Sequence, residues 1–391
     1  MFGRTPLAWF NLTYRRQRLL TALAGVAFAV VLMFIFRGFE NALYDSQVQL
    51  IKLFNADIVM VNRIKTYMFI PDTFARSRLF QAQAFEGVEA AYPLYTTTAD
   101  WKNPVTKRVR PLRVLAFNLN DPALNIPGIY DNPANLAALE LPWTALIDTQ
   151  SRPEVGSTQP GTETEISERK VAIVGNFTLG TDFAAGNGNV IMSDQNFLRY
   201  FSQLGPDEDS RSLATVDIGL LKLKPGTDAE ALVKTIQDAL PKDVTVYTKA
   251  GFVENELNYW KVNTTIGFVF TILTAMGFAV GIIIVYQILY TDVAEHWAEY
   301  ATLKAMGYSN FFLLTIVLQQ AVILALIGYL PGLLLSLGMY RLAANGTGLL
   351  MQMTWGRGLN ILIATVVMCL ISGAIAVRKV QATDPAEVFG I

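Results

Sequence analysis

Cysteine and histidine are almost missing from this sequence. One cysteine, Cys369, and one histidine, His296, occur in 391 residues. A single cysteine cannot close a disulfide within the chain or found a Cys-based metal site. Set in an apolar run, it reads as a small buried hydrophobe. A single histidine removes catalytic triads and zinc sites that rely on that residue. H-E-x-x-H and G-x-S-x-G do not occur. Nor does G-x-x-x-x-G-K-[ST], so there is no Walker A cradle for phosphates. The glycine-rich stretch "GNFTLGTDFAAGNGN" (175–189) lacks the lysine and following helix of a nucleotide loop and reads as a hairpin or surface loop. The carboxylates show no pattern that singles out an acid/base pair. Charge is scarce too: 16% of residues are charged and the net charge is −1. No basic field suggests nucleic acid as a partner.

What the chain has is apolar residues, 52% of the total, with a mean hydropathy of +0.34. That is too apolar for an ordinary soluble protein and too polar for one wholly inside a membrane. Four runs carry the excess: "LLTALAGVAFAVVLMFIF" (19–36), "TIGFVFTILTAMGFAVGIIIVYQILY" (265–290), "FFLLTIVLQQAVILALIGYLPGLLLSLGMY" (311–340) and "GLNILIATVVMCLISGAIAV" (358–377). Each can cross roughly 30 Å of hydrocarbon as a helix rising 1.5 Å per residue. Unpaired backbone is not tolerated there, so helices are expected. The first run, taken as a span over 19–37, is read as a retained anchor. Arginines precede it as in a signal peptide, but no small-x-small cleavage site follows its long core.

Arg4, Arg15, Arg16 and Arg18 precede the first run and Arg37 alone follows closely. The positive-inside rule then puts the N-terminus in the cytoplasm, and four spans return the tail (378–391) to the same side. The loop 291–310 would be cytoplasmic and the loop 341–357 would face outward. Residues 1–18, with Trp9, Phe10, Leu12 and Tyr14 before a basic end, suit a helix lying on the inner membrane surface.

Residues 38–262 form one long insertion outside the membrane, large enough for a core of its own. Strands are expected at "ADIVMVN" (56–62), "VRPLRVLAFN" (109–118) and "WTALIDT" (143–149), and a helix at 72–85. Residues 153–164 read as a turn-rich connector. "RKVAIVGNFTLG" and "GNVIMSD" are expected to pair around a loop. The last part reads as a β-α-β unit, with Asp228 and Glu230 favouring the helix start. The fold class is therefore a four-span α-helical membrane protein with a large α+β extracytoplasmic domain between the first and second spans.

Between the second and third spans lies "YTDVAEHWAEYATLKAMGYSN" (290–310). On a helix, Val293, Trp297, Tyr300 and Lys304 share one stripe, while Asp292, Glu295 and Glu299 lie nearly opposite. The alanines favour helix and Gly307 is placed to end it. Acids suit a protein partner with basic groups better than anionic lipid. In the spans, Gly277 with Gly281, and Gly328 with Gly332, are four apart, a spacing that lets helix backbones approach, within one chain or between two. Pro331 is expected to kink the third span. Gln319 and Gln320 are the main interior polar candidates there.

The residues then resemble a known family. "EHWAEYATLKAMGYS", with Glu295, Glu299, Ala301, Leu303, Lys304, Ala305 and Gly307, is similar to the coupling loop of FtsX/MacB-type ABC transporter permeases. "RKVQATDPAEVFG", with Ala382, Asp384, Pro385 and Glu387, resembles that group's cytoplasmic ending. "LAWFNLTYRRQRLLTALAGVAFAV" resembles its surface helix and first span, and "NADIVMVNR" the strand that opens its outer domain. Within the family, the chain looks most like the cyanobacterial DevC group. The resemblance implies a transport subunit without catalysis or a bound cofactor of its own, with ATP-Mg held by a separate ABC ATPase. Contact with that ATPase would run through Asp292, Glu295, Trp297, Glu299, Lys304 and Gly307, with a secondary contact at Asp384, Pro385 and Glu387. It also implies a homodimer in the bacterial inner membrane, a HlyD-type membrane fusion protein, a TolC-like outer-membrane duct, and, from the DevC group, glycolipid export for the heterocyst envelope. The alternative is a regulatory membrane protein that activates an envelope enzyme, as FtsX does.

Overall fold

A computed structural model describes Trp9 and residues 16–182, 186–202, 211–297, 299–300, 302, 306–347 and 351–381. The chain divides into two compact units, one of residues 1–41, 265–346 and 351–391, the other of residues 42–264 and 347–350. Of the expected surface helix 1–18, only Trp9 and Arg16–Arg18 fall within the described residues.

Among the described residues four helices are long and apolar enough to cross a membrane, all in the first unit except the end of the first helix, whose residues 42–52 belong to the second. They are α1 (Arg16–Lys52), α7 (Thr265–Glu295), α8 (Asn310–Thr347) and α9 (Trp355–Gln381). Helix α1 does not stop at the end of its apolar run. It continues unbroken to Lys52, past an Arg37–Glu40 ion pair at 2.8 Å. The two glycine pairs pack within the chain. A Cβ at Gly328 would stand 2.7 Å from Val26 Cβ, and one at Gly332 would stand 2.7 Å from Val30 Cβ and 3.0 Å from the Ala27 carbonyl. Gly277 meets Phe36 and Gly281 meets Ala29 and Met368 in the same way. Glycine therefore brings α7 and α8 close to α1, where dispersion and packing rather than hydrophobic exclusion hold spans together. Cross-helix hydrogen bonds add to this: Tyr340 donates to the Phe34 carbonyl at 2.7 Å, Tyr329 to Gly358 at 2.9 Å, and Ser372 to Ile282 at 3.0 Å. Helix α8 continues through Pro331.

The second unit is the inserted domain, built on a nine-stranded sheet of order β11-β1-β10-β3-β4-β8-β5-β7-β6. These strands are β1 (Ile58–Asn62), β3 (Val88–Lys102), β4 (Val109–Phe117), β5 (Thr144–Asp148), β6 (Glu163–Ile166), β7 (Arg169–Phe177), β8 (Asn189–Ser193), β10 (Ile218–Leu223) and β11 (Val244–Thr248). A small ribbon pairs β2 (Phe74–Ala75) with β9 (Thr215–Val216). Strand β6 also pairs with the far end of β3, Trp101 opposite Ile166, so β3-β4-β8-β5-β7-β6 closes into a ring.

Both faces of the sheet are covered. In β1, Ile58 and Met60 enter one core and Val59 and Val61 the other. In β10, Leu221 and Leu223 are set against Ile218 and Leu220 in the same way. That explains why these strands read as continuous apolar runs. One core takes Leu79 and Ala82 of α2 (Arg76–Gln83), Phe197 and Tyr200 of α4 (Asp194–Phe201), and Leu232 and Ile236 of α5 (Ala229–Ala239). The other takes Val48 and Ile51 near the end of α1, Leu139 of α3 (Pro133–Leu139) and Phe252 of α6 (Lys249–Val262).

The structure corrects the expected strand pairing. β7 and β8 are not partners, because β5 lies between them, parallel to β7 and antiparallel to β8. The β-α-β unit is split: β10 and β11 both pair with β1, antiparallel, and do not touch. Its helix starts as expected, with Asp228 Oδ1 accepting from the Glu230 and Ala231 amides at 2.9 and 3.2 Å. The helix expected over 72–85 is shorter, Arg76–Gln83, because Phe74 and Ala75 join the ribbon.

Candidate functional site

The end of α7 and the residues that follow it, 290–310, are built as two faces. Val293, Trp297 and Tyr300 are buried and pack with Val317 of α8 and Val377 of α9. Tyr290, Phe312 and Leu314 lie half-buried around them. Glu295 and Glu299 are exposed. Asp292 is half-buried beside His296, whose Nδ1 lies 2.9 Å from the Asp292 carbonyl and 3.8 Å from its carboxylate. Gly307 takes φ +94°, a conformation that other residues rarely adopt. Ser309 then caps α8 by accepting from the Phe312 amide at 3.3 Å, and Tyr308 stacks on Phe312 at 4.6 Å.

The outcome divides the expected contact residues. Glu295 and Glu299 are exposed, and Gly307 takes a left-handed conformation within the segment. Trp297 lies at 9% exposure inside the bundle, so in this arrangement it holds the segment to the spans and offers little surface to another protein. Its indole N–H has no hydrogen-bond partner among the described residues, and neither has the side chain of fully buried Gln320, one turn beyond Val317. Lys304, Asp384, Pro385 and Glu387 lie outside the described residues. Gln319, the other expected interior polar residue, is exposed.

Within the inserted domain, sequence reasoning missed a set of buried ionisable groups. Glu256 of α6 is wholly buried and accepts from the Met68 amide at 2.8 Å and the Trp260 indole at 2.9 Å. Burial pushes its carboxyl up to about 7, against the pull of those two hydrogen bonds. Lys65, 5% exposed, donates to the carbonyls of Met68 and Ile70, and burial lowers its amine. Tyr67 stacks on Tyr259 at 4.6 Å and meets Trp260 edge-on. The loop after β1 is thus clasped to α6 by charge and aromatic contact. Farther into the sheet, Arg113 and Asp182 form a buried ion pair at 2.6 Å, and Arg113 donates to Asn189, which donates to Asp148. Single charges spaced along a strand or helix give no local signal of such pairs. Among the described residues no group of three or more Asp, Glu, His or Cys could hold a metal ion.

Residues 259–385 match the family model described as FtsX-like permease C-terminal. That stretch takes in the last three spans and the two-faced segment and covers under half of the chain; with the four apolar helices it points to a multi-pass membrane protein similar to that family over these residues. The periplasmic region of MacB from Actinobacillus actinomycetemcomitans is similar at 8% identity and a TM-score of 0.34, over 50% of this chain and 91% of that one. The extracellular domain of YknZ, a noncanonic ABC-type transporter from Gram-positive bacteria, is similar at 9% identity and a TM-score of 0.34, over 49% of this chain and 99% of that one. No curated protein matches the chain.

Proposed function

We propose that this chain is the permease subunit of an ABC exporter in the bacterial inner membrane, with both termini in the cytoplasm. A separate ATPase carrying ATP-Mg grips the segment 290–310, and two copies of the chain work together. The moving spans drive the inserted domain, which hands cargo to a HlyD-type membrane fusion protein and a TolC-like duct. The DevC-like features suggest glycolipid as the cargo class. The reading is supported by the FtsX-like match over 259–385 and by the large domain between the first two spans.

The observation that carries it is the split of faces after α7. An aromatic face buried against Val317 and Val377 ties the segment to α8 and α9. The exposed acids Glu295 and Glu299 meet a basic surface of the ATPase. A push on those acids moves the spans as packed bodies, the kind of element that transmits coupling between distant sites. The test is the double variant Glu295→Lys, Glu299→Lys in the full chain. Co-purification of the ATPase subunit should fall at least tenfold. Retention of the ATPase at the wild-type level, with transport intact, would remove the docking role.

A further inference from the structure

Burial is inverted in the turn that follows β1. Ile64 is 67% exposed, while Lys65 beside it is drawn inside and donates to the Met68 and Ile70 carbonyls. Asn62 fixes the turn. Its Oδ1 accepts from the Ile64 amide and its carbonyl accepts from the Lys65 amide, each at 3.0 Å. Backbone bonds therefore hold the isoleucine outward. An apolar side chain pushed out beside an ammonium pulled in is the reverse of what water alone favours.

The turn is clasped to the end of α6. Tyr67 stacks on Tyr259 at 4.6 Å, and the Met68 amide donates to Glu256 at 2.8 Å. One helical turn past Tyr259, Val262 ends α6 and is 70% exposed. Only Asn263 and Thr264 separate it from Thr265, the first residue of the apolar helix α7. Three residues of chain reach at most about 11 Å. The polar layer on each side of the hydrocarbon is about 5–8 Å deep. With α7 as a span, chain length alone keeps the end of α6 at or next to that layer, and the turn clasped to it comes along. The residues gathered there suit it: the rings of Tyr67, Tyr259 and Trp260, and two exposed cations, Arg63 and Lys261. Neither cation has a carboxylate partner among the described residues.

We infer that the turn 62–67 is a lipid contact: Ile64 enters the boundary between headgroups and acyl chains in the leaflet that α7 joins, and Arg63 and Lys261 meet lipid phosphates. The inference rests on α7 crossing the membrane and not on the export reading. At such a boundary an exposed isoleucine leaves water, and exposed cations gain anionic neighbours.

The test uses the full chain with Cys369→Ala, so that one introduced thiol carries a bimane label, in nanodiscs whose lipids are brominated near the top of the acyl chains. The label at Ile64→Cys should be quenched at least threefold more than at Lys224→Cys. Lys224 is exposed and follows β10, at the end of the β1–β10 pair away from Asn62. Val269→Cys, on α7, is the reference for a site in the bilayer. Quenching at Ile64→Cys should rise about twofold when the lipid is anionic instead of zwitterionic, and Arg63→Glu with Lys261→Glu should abolish that rise. Equal quenching at Ile64→Cys and Lys224→Cys, with Val269→Cys quenched, overturns the contact and leaves the span standing. Equal quenching in the two lipids overturns the phosphate contact of Arg63 and Lys261. No quenching at Val269→Cys brings down α7 as a span, and the lipid contact with it.

Discussion

Glu256 shows what a single residue in this domain costs and controls. Its carboxyl is enclosed by α6 and the loop after β1, and burial raises it to about 7, whereas an unfolded glutamate titrates near 4.5. Between those values the folded chain binds a proton that the unfolded chain releases. The contribution to stability is therefore fully present below about 4.5 and is lost as the pH rises through 7. The difference is on the order of 3 kcal/mol at about 1.4 kcal/mol per unit. Glu256→Gln keeps an acceptor for the Met68 amide without the buried charge. Above pH 8, the variant should unfold at a higher temperature than wild type. The gap should narrow as the pH falls toward 5. Tryptophan fluorescence of the full chain in detergent would follow it, and parallel pH profiles would show that the carboxyl is not held neutral. Asp182 and Lys65 act on the same carboxyl in opposite senses, so Asp182→Asn should lower the pH of the transition.

At the scale of the element, the segment after α7 separates gripping from holding. Trp297→Ala removes an indole packed on Val317 and Val377, a loss of the kind that costs about 3–5 kcal/mol in a core. The exposed acids remain. Hydrogen exchange should therefore rise across residues 290–300, and transport should fall at least tenfold, while ATPase co-purification stays within about twofold of wild type. Trp297→Phe should recover most of the transport. If Trp297→Ala loses the ATPase as completely as the Glu295, Glu299 variant, the two faces do not have separate jobs. The faces themselves were legible in the sequence, because a period of 3.6 sorts Val293, Trp297 and Tyr300 from Glu295 and Glu299. What covers the aromatic face was not, since Val317 and Val377 come from two other helices and leave no mark on the local pattern. The four spans were legible for the same local reason. Strand β3, the longest in the sheet, was not: "VEAAYPLYTTTADWK" holds a proline and no steady alternation, and its identity comes from pairing with β10, β4 and β6. Helix α6 was missed because it starts at once from β11, with Thr248 capping it by accepting from the Gly251 amide at 3.0 Å.

At the scale of the whole molecule, everything proposed depends on which side of the membrane each part occupies. In the proposed topology four spans put the N-terminus and tail on one side, and the positive-inside rule applied to the arginines ahead of the first apolar run proposes the cytoplasm for that side. The same proposed topology sets the segment 290–310, one span away from the inserted domain in sequence, on the opposite side of the membrane. The scarcity of cysteine makes this directly testable. Cys369 is buried, so replacing it by alanine leaves a cysteine-free chain in which any new thiol reports alone. Pro160 sits in an exposed turn beside Gly161, around which there is open space, and such a tip tolerates change. A membrane-impermeant maleimide should label Pro160→Cys in intact spheroplasts and should label Glu299→Cys only after lysis. Labelling of both before lysis would put the acidic face and the inserted domain in one compartment. No cytosolic ATPase could then reach that face, and the two-faced segment would have to be read as an external contact.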